Sequence, residues 1–470
     1  MIKTITTAIL SLLLPLCGHA ADDSAKKNVL LICIDDLRPE LGCYGKDYIK
    51  SPNIDRLASE GRRFSRHYVQ APSCGPSRYS LLTGLYGSAS PSNGELFQRA
   101  ENLEKAGPSL PAWLRDQGYN TVSIGKVSHH PGGWGGPDWD DTSQLEMPGS
   151  WTEQFMPCGP WKHPRGAMHG LANGEIRGPE KHSMAVFQSH DGPDDAYPDG
   201  LITEKGIAEL TRLASDPKPF FLAIGLIRPH LPFGAPARYM EGYKDAKLPP
   251  IPHPEKPTGK TTWGPSGEFK QYDHFGHDAW TDPEHALAVR KHYAACVSYA
   301  DSMVGQILAQ LETLKIADDT IVVLWGDHGW HLGEHAVWGK HTLFEESLHS
   351  PLIVRSPGMK KPGEATDQIA ETVDLYPTLC ELVEIPVPEN LSGQSLVAAL
   401  NGDAAKEDSA LSQWGGARSL RTGQYRLTLH KNGYVELYDH DSPEGETRNI
   451  ATEEKELVEQ LKLALDAKLR

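Results

Sequence analysis

The sequence predicts an α/β fold: a mixed, mostly parallel sheet sandwiched by helices, then a smaller C-terminal antiparallel sheet with one helix. Three observations carry this. Apolar runs rich in Val and Ile alternate with helical patterns along most of the chain. Those runs are apolar at successive positions rather than alternate ones, as strands covered on both faces must be. Near Ala410 the pattern changes to short alternating strands around Asn432-Gly433, a hairpin-turn dipeptide.

The clearest strands are Asn28 to Ile34, Asn120 to Gly125, Phe220 to Ile227, Thr320 to Trp325 and Pro351 to Arg355. Helical periodicity predicts helices over Asn53 to Phe64, Thr203 to Ala214, His285 to Leu314 and Val373 to Val383. The C-terminal strands are Arg418 to Thr422, Tyr425 to His430 and Tyr434 to Tyr438, closed by a helix over Glu453 to Leu469. These elements divide the mature chain into a main domain, 21–405, and a small α+β subdomain, 406–470. Lys3, an apolar stretch from Ile5 to Cys17 and the small residues that follow read as a secretory signal peptide over 1–20, too short to stay as a bilayer span. An exported, periplasmic or secreted protein is expected, with a lipid anchor at Cys17 left open.

A net charge of −16 over 470 residues argues against nucleic acid and against an anionic membrane surface. An anionic substrate then needs a local cluster of cations, because the field of the whole protein repels it. Of seven cysteines, those outside the leader are scattered and form no close pairs, so neither a disulfide scaffold nor a zinc ribbon is predicted. Between His129 and Gly200 the chain is irregular and rich in Gly, Pro, Trp and His. A stretch this long is a lid or binding surface, or else a solvated insertion. Trp134, Trp139, Trp151 and Trp161 favour a surface that holds a sugar.

The segment Ser73-Cys74-Gly75-Pro76-Ser77-Arg78 leads into a short helix ending at Gly84. Pro76 suits the first turn and Gly84 the C-terminal cap. Residue 74 therefore sits at a helix N-terminus, where free N–H groups and the dipole favour an anion. Elsewhere, strand Asn28 to Ile34 ends in Asp35-Asp36, and strand Thr320 to Trp325 is followed by Asp327-His328. Ligands in open α/β sheets sit beyond the carboxyl ends of strands, so the pairs can converge. Three converging carboxylates need a cation, and hard oxygen ligands point to Ca²⁺ or Mg²⁺ rather than zinc.

The Cys74-x-Pro76-Ser77-Arg78 motif resembles the maturation signature of the type I sulfatases. The stretches Asp35 to Pro39, Leu41 to Gly45, Gly125 to His129, Arg228 to Phe233, Asp327 to His335 and Trp338 to Lys340 resemble the iduronate-type branch of that family. The resemblance implies an alkaline-phosphatase-like fold and a sulfuric ester hydrolase acting on a sulfated saccharide. It implies that a maturation enzyme oxidises Cys74 to formylglycine, whose hydrated aldehyde is the nucleophile. It implies one Ca²⁺ held by Asp35, Asp36, Asp327, His328 and residue 74. Arg78, Lys126 and Lys340 would contact formylglycine and sulfate, and His129 and His230 would move protons, with Lys340 an alternative donor to the departing sugar oxygen. Trp330 would form the first wall the sugar meets. The basic stretch expected before Ser419 is shortened to Trp414-Gly415-Gly416-Ala417-Arg418, which leaves Arg418 as candidate reader of an acidic sugar. The Trp-rich insertion and the small subdomain would enclose the site and restrict it to chain ends.

Other readings are a phosphodiesterase or phosphonate hydrolase of the same fold, and a glycan-binding protein without catalysis. His331-Leu332-Gly333-Glu334-His335 also matches a zinc-peptidase pattern. That pattern needs a helix to align its histidines, and Gly329 and Gly333 argue against one.

Overall fold

The sheet that organises the molecule starts with β1 (Asn28–Ile34), whose sequence Asn-Val-Leu-Leu-Ile-Cys-Ile is buried from Val29 onward. The structure is a computed structural model describing residues 26–101, 107–403 and 408–469. The expected leader over 1–20, Cys17 and the expected division at 405 lie outside the described residues. The other strands are β2 (Arg62–Tyr68), β3 (Asn120–Gly125), β4 (Glu153–Phe155), β5 (Phe187–His190), β6 (Phe220–Leu226), β7 (Phe233–Pro236), β8 (Thr320–Gly326), β9 (His331–Leu332), β10 (Trp338–Gly339), β11 (Leu352–Arg355) and β12 (Ala365–Glu371). Among the described residues the main sheet has eight strands in the order β12-β2-β11-β8-β1-β6-β3-β4. β1 runs parallel to both neighbours, while β11 runs antiparallel to β2 and β8. The mixed, mostly parallel architecture is the predicted one.

Alternate residues of the central strands feed two cores. Leu30, Ile32, Ile34, Leu222 and Ile224 pack with α1 (Pro52–Glu60), α3 (Pro198–Ala214) and α4 (Pro283–Thr313). Val29, Leu31, Cys33, Phe221 and Ala223 pack with α2 (Cys74–Thr83) and α5 (Leu375–Leu382). Burying each large apolar side chain contributes about 1.5–3 kcal/mol. With both faces covered, the open ends of the strands are left for chemistry.

Helix α1 shows how a remote residue fixes an element. Its N-cap Ser51 makes no side-chain cap bond. Instead the Asp301 carboxylate of α4 accepts from Asn53 N at 3.0 Å and Ile54 N at 2.7 Å. Asp301→Ala should cost about 2–3 kcal/mol in urea unfolding, because buried N–H groups lose their acceptor. A loss below about 0.5 kcal/mol would show that water replaces the carboxylate.

Three expectations need correction. The helix predicted to Phe64 stops at Glu60, and Arg62–Tyr68 is a strand. Gly61 is the reason: a Cβ there would meet Val354 O at 2.7 Å, so the chain passes tightly into the sheet. Arg62, in that strand, is buried with its guanidinium on the carbonyls of Glu364, Lys360 and Leu400. α3 starts at Pro198 rather than Thr203, and the helix expected from Val373 opens as a 3-10 turn over Thr372–Asp374. The short or charged strands β4 and β12 carry no strong periodicity.

The C-terminal sheet is an antiparallel meander of β13 (Ala410–Trp414), β14 (Ala417–Arg421), β15 (Tyr425–Leu429) and β16 (Val435–Asp439). One face sets Leu411, Leu420, Leu427 and Leu437 on Val458, Leu461 and Leu465 of α6 (Lys455–Lys468). Ala410 and Ala417, on the other face, join Tyr68, Leu343 and Leu348 of the main body. β13 was not among the predicted strands. Among the described residues Cys33, Cys43, Cys74, Cys158, Cys296 and Cys380 are all unpaired, and no helix is long and apolar enough to cross a membrane.

Candidate active site

β1 and β8 are adjacent and parallel with Ile34 opposite Gly326, so the residues that follow them emerge side by side. Asp35 and Asp36 thereby meet Asp327 and His328, and all four are fully buried. Asp36 takes φ 56°, a left-handed conformation that Asp tolerates. Its N–H donates to Asp327 Oδ1 at 2.9 Å and its carbonyl accepts from Tyr293 Oη at 2.9 Å. The turn is thus tied at both ends.

α2 carries Cys74 to the same place. Ser73 is its N-cap residue, and Gly84 closes it at φ 69° with its N–H on Ser80 O. Asn93 Oδ1 accepts from Gly75 N and from Ser73 Oγ, each at 3.1 Å, and steadies the first turn. Cys74 Sγ lies 3.3 Å from His328 Nε2, 3.2 Å from Lys340 Nζ and 3.6 Å from Lys126 Nζ. Lys126 is delivered by Gly125, whose φ of 72° and contact with β6 exclude a side chain: a Cβ would sit 2.3 Å from Gly225 O.

The cations are matched to the carboxylates. Lys126 Nζ pairs with Asp35, and Lys340 Nζ lies 2.8 Å from Asp36 Oδ1. Arg78 donates through Nε and Nη2 to Asp327 Oδ2 at 3.1 and 2.9 Å, through Nη2 to Asp35 Oδ1 at 3.3 Å, and through Nη1 to the carbonyls of Lys126 and Val127. All five of its N–H donors are committed to protein. In this arrangement Arg78 holds the carboxylates and the Lys126 turn.

The carboxylates respond unequally. Burial drives Asp36 well above the usual range against the pull of Lys340. Burial, with the Asp35 charge adding to it, pushes Asp327 up to about 7. Asp35 resists burial because Lys126, His230 and Arg78 hold it well below the usual range. Burial, then Lys126 or Lys340, keeps His129, His230 and His328 well below the ordinary imidazole value. Burial pulls the Lys340 ammonium down, but Asp36, Cys74, Glu268 and Asp35 together hold it well above the ordinary lysine value.

Two sets of groups bring their ligand atoms within 4.8 Å of one another: Asp35, Asp36, Cys74 and His230, and Asp35, Cys74, Asp327 and His328. Asp36 Oδ2 is buried without a hydrogen-bond partner. His328 Nδ1 lies 3.0 Å from Gly329 O, to which it must donate, leaving the Nε2 lone pair facing the carboxylates. An oxygen-rich set with one imidazole and an orphaned carboxylate oxygen fits a hard divalent cation.

A family profile described as Sulfatase matches residues 27–385, and one described as N-sulphoglucosamine sulphohydrolase, C-terminal, matches residues 333–470. The chain belongs to the sulfatase family. It is a sulfuric ester hydrolase. It is 33% identical to iduronate 2-sulfatase of Homo sapiens over 404 residues, covering 77% of this chain and 70% of that protein. A sulfatase of Formosa agariphila is 29% identical over 468 residues, covering 94% of this chain and 86% of that one. Among solved structures, the phosphonate monoester hydrolase SpPMH from Silicibacter pomeroyi matches with a TM-score of 0.74 at 25% identity, covering 94% of each chain.

Other expected residues fall around this sulfatase centre in different ways. His230 Nε2 is 4.0 Å from Asp36 Oδ2, and its Nδ1 is 2.7 Å from Leu231 O. His129 stacks edge-on against His130, 4.5 Å between rings, and its Nδ1 is buried without a partner. Trp330 does not line an open wall: it is fully buried, edge-on to Phe233, with Lys340 Nζ 5.4 Å from its ring centre. Trp151 and Trp161 are likewise core residues, and only Trp134 and Trp139 remain partly exposed near His130. Arg418 stands apart from these residues. It lines a separate cavity with Tyr86, Glu95 and Arg99 that includes none of the charged groups around Cys74. Arg418→Ala should leave kcat/KM for aryl sulfates and acidic sugar sulfates within about twofold; a selective rise in KM for the acidic sugar would restore it as a reader.

Three residues had no signal in the sequence. Glu268 lies 3.7 Å from Lys340 Nζ and 3.5 Å from His230 Nε2. The His169 ring is 5.6 Å from that of His230. Trp414 of β13 stacks on His341, beside Lys340, with ring centres 5.0 Å apart. All three sit in irregular or short segments, where no periodicity or motif marks them.

His331-Leu332-Gly333-Glu334-His335 is not a helix. His331–Leu332 is a strand, Gly333 has φ 109°, and Glu334 pairs with Arg38 at 2.9 Å.

Proposed function

We propose that this sulfatase removes sulfate from a sulfated sugar, with Cys74 matured to formylglycine and one Ca²⁺ at the strand ends. The observation that supports it best is the setting of Cys74 Sγ, at a helix N-terminus with two buried ammonium groups 3.2 and 3.6 Å away. Asp35, Asp36, Asp327 and His328 would hold the ion. The matured residue would supply an oxygen nucleophile, and the ion would supply charge stabilisation.

The chain's own groups do the rest. Three carboxylates against one dication leave a single negative charge, which Lys126, Lys340 and Arg78 more than balance. A sulfate ester is therefore drawn in despite the acidic protein. Lys126 and Lys340 bind sulfate oxygens. Lys340 also donates the proton to the departing sugar oxygen, because His230 commits its Nδ1–H to Leu231 O and turns an acceptor Nε2 to the site. His129, with a buried and unpartnered Nδ1, takes the proton released when residue 74 is restored.

A 2-sulfated uronic acid heads the candidate sugars, on the likeness to human iduronate 2-sulfatase, with other sulfated algal or animal sugars as alternatives. Export with loss of residues 1–20, a division of the chain at 405 and action at chain ends belong to the same proposal. The second reading, phosphonate or phosphodiester hydrolysis, rests on the likeness to the Silicibacter enzyme. Assays with aryl sulfate, aryl phosphate and aryl phosphonate, each with and without chelator, separate the two. Sulfate turnover lost on chelation is expected. Faster turnover of phosphonate would replace the sulfatase reading of the site.

A further inference from the structure

A second feature lies beside the catalytic centre. The indole N–H groups of Trp263 and Trp280 donate to the adjacent carbonyls of His335 and Ala336, each at 2.8 Å. Pinned by their edges, the two rings line a cleft of about 580 Å³. Lys256 Nζ stands 3.9 Å from the Trp263 ring centre and Lys270 Nζ 4.5 Å from that of Trp280. Both lysines are exposed, and among the described residues neither has a carboxylate within ion-pair distance. Asp278, the acidic residue in the lining, already accepts from Trp280 N at 2.9 Å.

This is unusual chemistry for a chain of net charge −16. A carboxylate-poor cleft with two free ammonium groups on two fixed indoles suits a ligand with both an apolar ring face and negative charge. Sugar C–H faces lie on indole, and sulfate or carboxylate groups meet the lysines. One wall of the cleft is tied to the centre by a hydrogen bond. Pro265 lines it, and the next residue, Ser266, accepts from Lys340 N at 3.1 Å. Glu268, two residues on, faces both Lys340 and His230.

We propose that this cleft binds a further anionic unit of the same saccharide chain. The inference rests on the sulfatase reading of the site, and the test separates the two. Lys256→Gln/Lys270→Gln would be compared with a control, Lys218→Gln/Lys315→Gln, whose exposed lysines precede the amino ends of β6 and β8. Each pair is placed in full-length protein. A size-fractionated dextran sulfate oligosaccharide and neutral dextran are titrated calorimetrically, and turnover of 4-nitrocatechol sulfate is measured alongside. The cleft variant should bind dextran sulfate at least tenfold more weakly, with aryl sulfate turnover within twofold of the parent and the control unchanged. Unchanged affinity in the cleft variant, or an equal loss in the control, would overturn the proposal. Weaker binding by the cleft variant of a parent that does not hydrolyse aryl sulfate would sink the catalytic reading and leave the cleft standing.

Discussion

Replacing Cys74 by alanine should lower turnover of any sulfate ester by at least about 10⁴-fold while leaving the fold in place. The side chain is small, and when it is removed Lys126 and Lys340 keep their own carboxylates and His328 keeps its bond to Gly329 O. Deleting one buried sulfur should cost about 1 kcal/mol, so thermal unfolding should move by only a few degrees. The chemical loss is total because the other groups hold sulfate and protons but supply no nucleophile. Mass analysis of the peptide containing residue 74 should show an aldehyde or its hydrate in active enzyme and a thiol in protein from a host without maturation machinery. Active enzyme carrying only the thiol would refute the formylglycine assignment.

Asp327→Asn should be nearly as damaging, by about 10³-fold or more, for a different reason. Asp327 joins three parts of the centre: it accepts the Asp36 N–H, anchors two donors of Arg78 and faces His328. Asparagine keeps an acceptor but removes one of three charges that would hold the cation. Two carboxylates 4 Å apart repel by about 4 kcal/mol at an effective dielectric near 20, so a divalent ion relieves more in the parent than in the variant. Calcium should therefore raise the unfolding temperature of the parent clearly and that of the variant little. Removal of bound metal should abolish parent activity, and its return should restore it. A parent fully active without metal, or an equal calcium-induced shift in both proteins, would sink this arrangement.

The centre was legible in part because its most informative residues follow regular elements. β1 and β8 are unbroken apolar runs, and parallel pairing with Ile34 opposite Gly326 brings the acids after them together. Cys74 was legible through local helix chemistry, Pro76 within the first turn and Gly84 at the cap. The helix expected to reach Phe64 failed where Gly61 passes Val354 O, a contact across nearly three hundred residues that no local pattern carries. Arg418 and Trp330 failed for a related reason. Ala417 packs on the main body, so strand alternation turns Arg418 to a separate cavity, and Trp330 packs into the core against Phe233.

By itself, the sequence determined the α/β class, the central strands, the helix behind Cys74 and the acids beyond β1 and β8. Each rests on short-range periodicity or on residues fixed to an element's end, and such information is local. Tertiary structure alone decided the rest. It committed every Arg78 donor to carboxylates and carbonyls, set Glu268 against Lys340, stacked Trp414 on His341 and fixed two indoles beside unpaired lysines. Those contacts join irregular segments far apart in the chain, and their geometry follows from which groups must be satisfied once the sheet has closed and water has left.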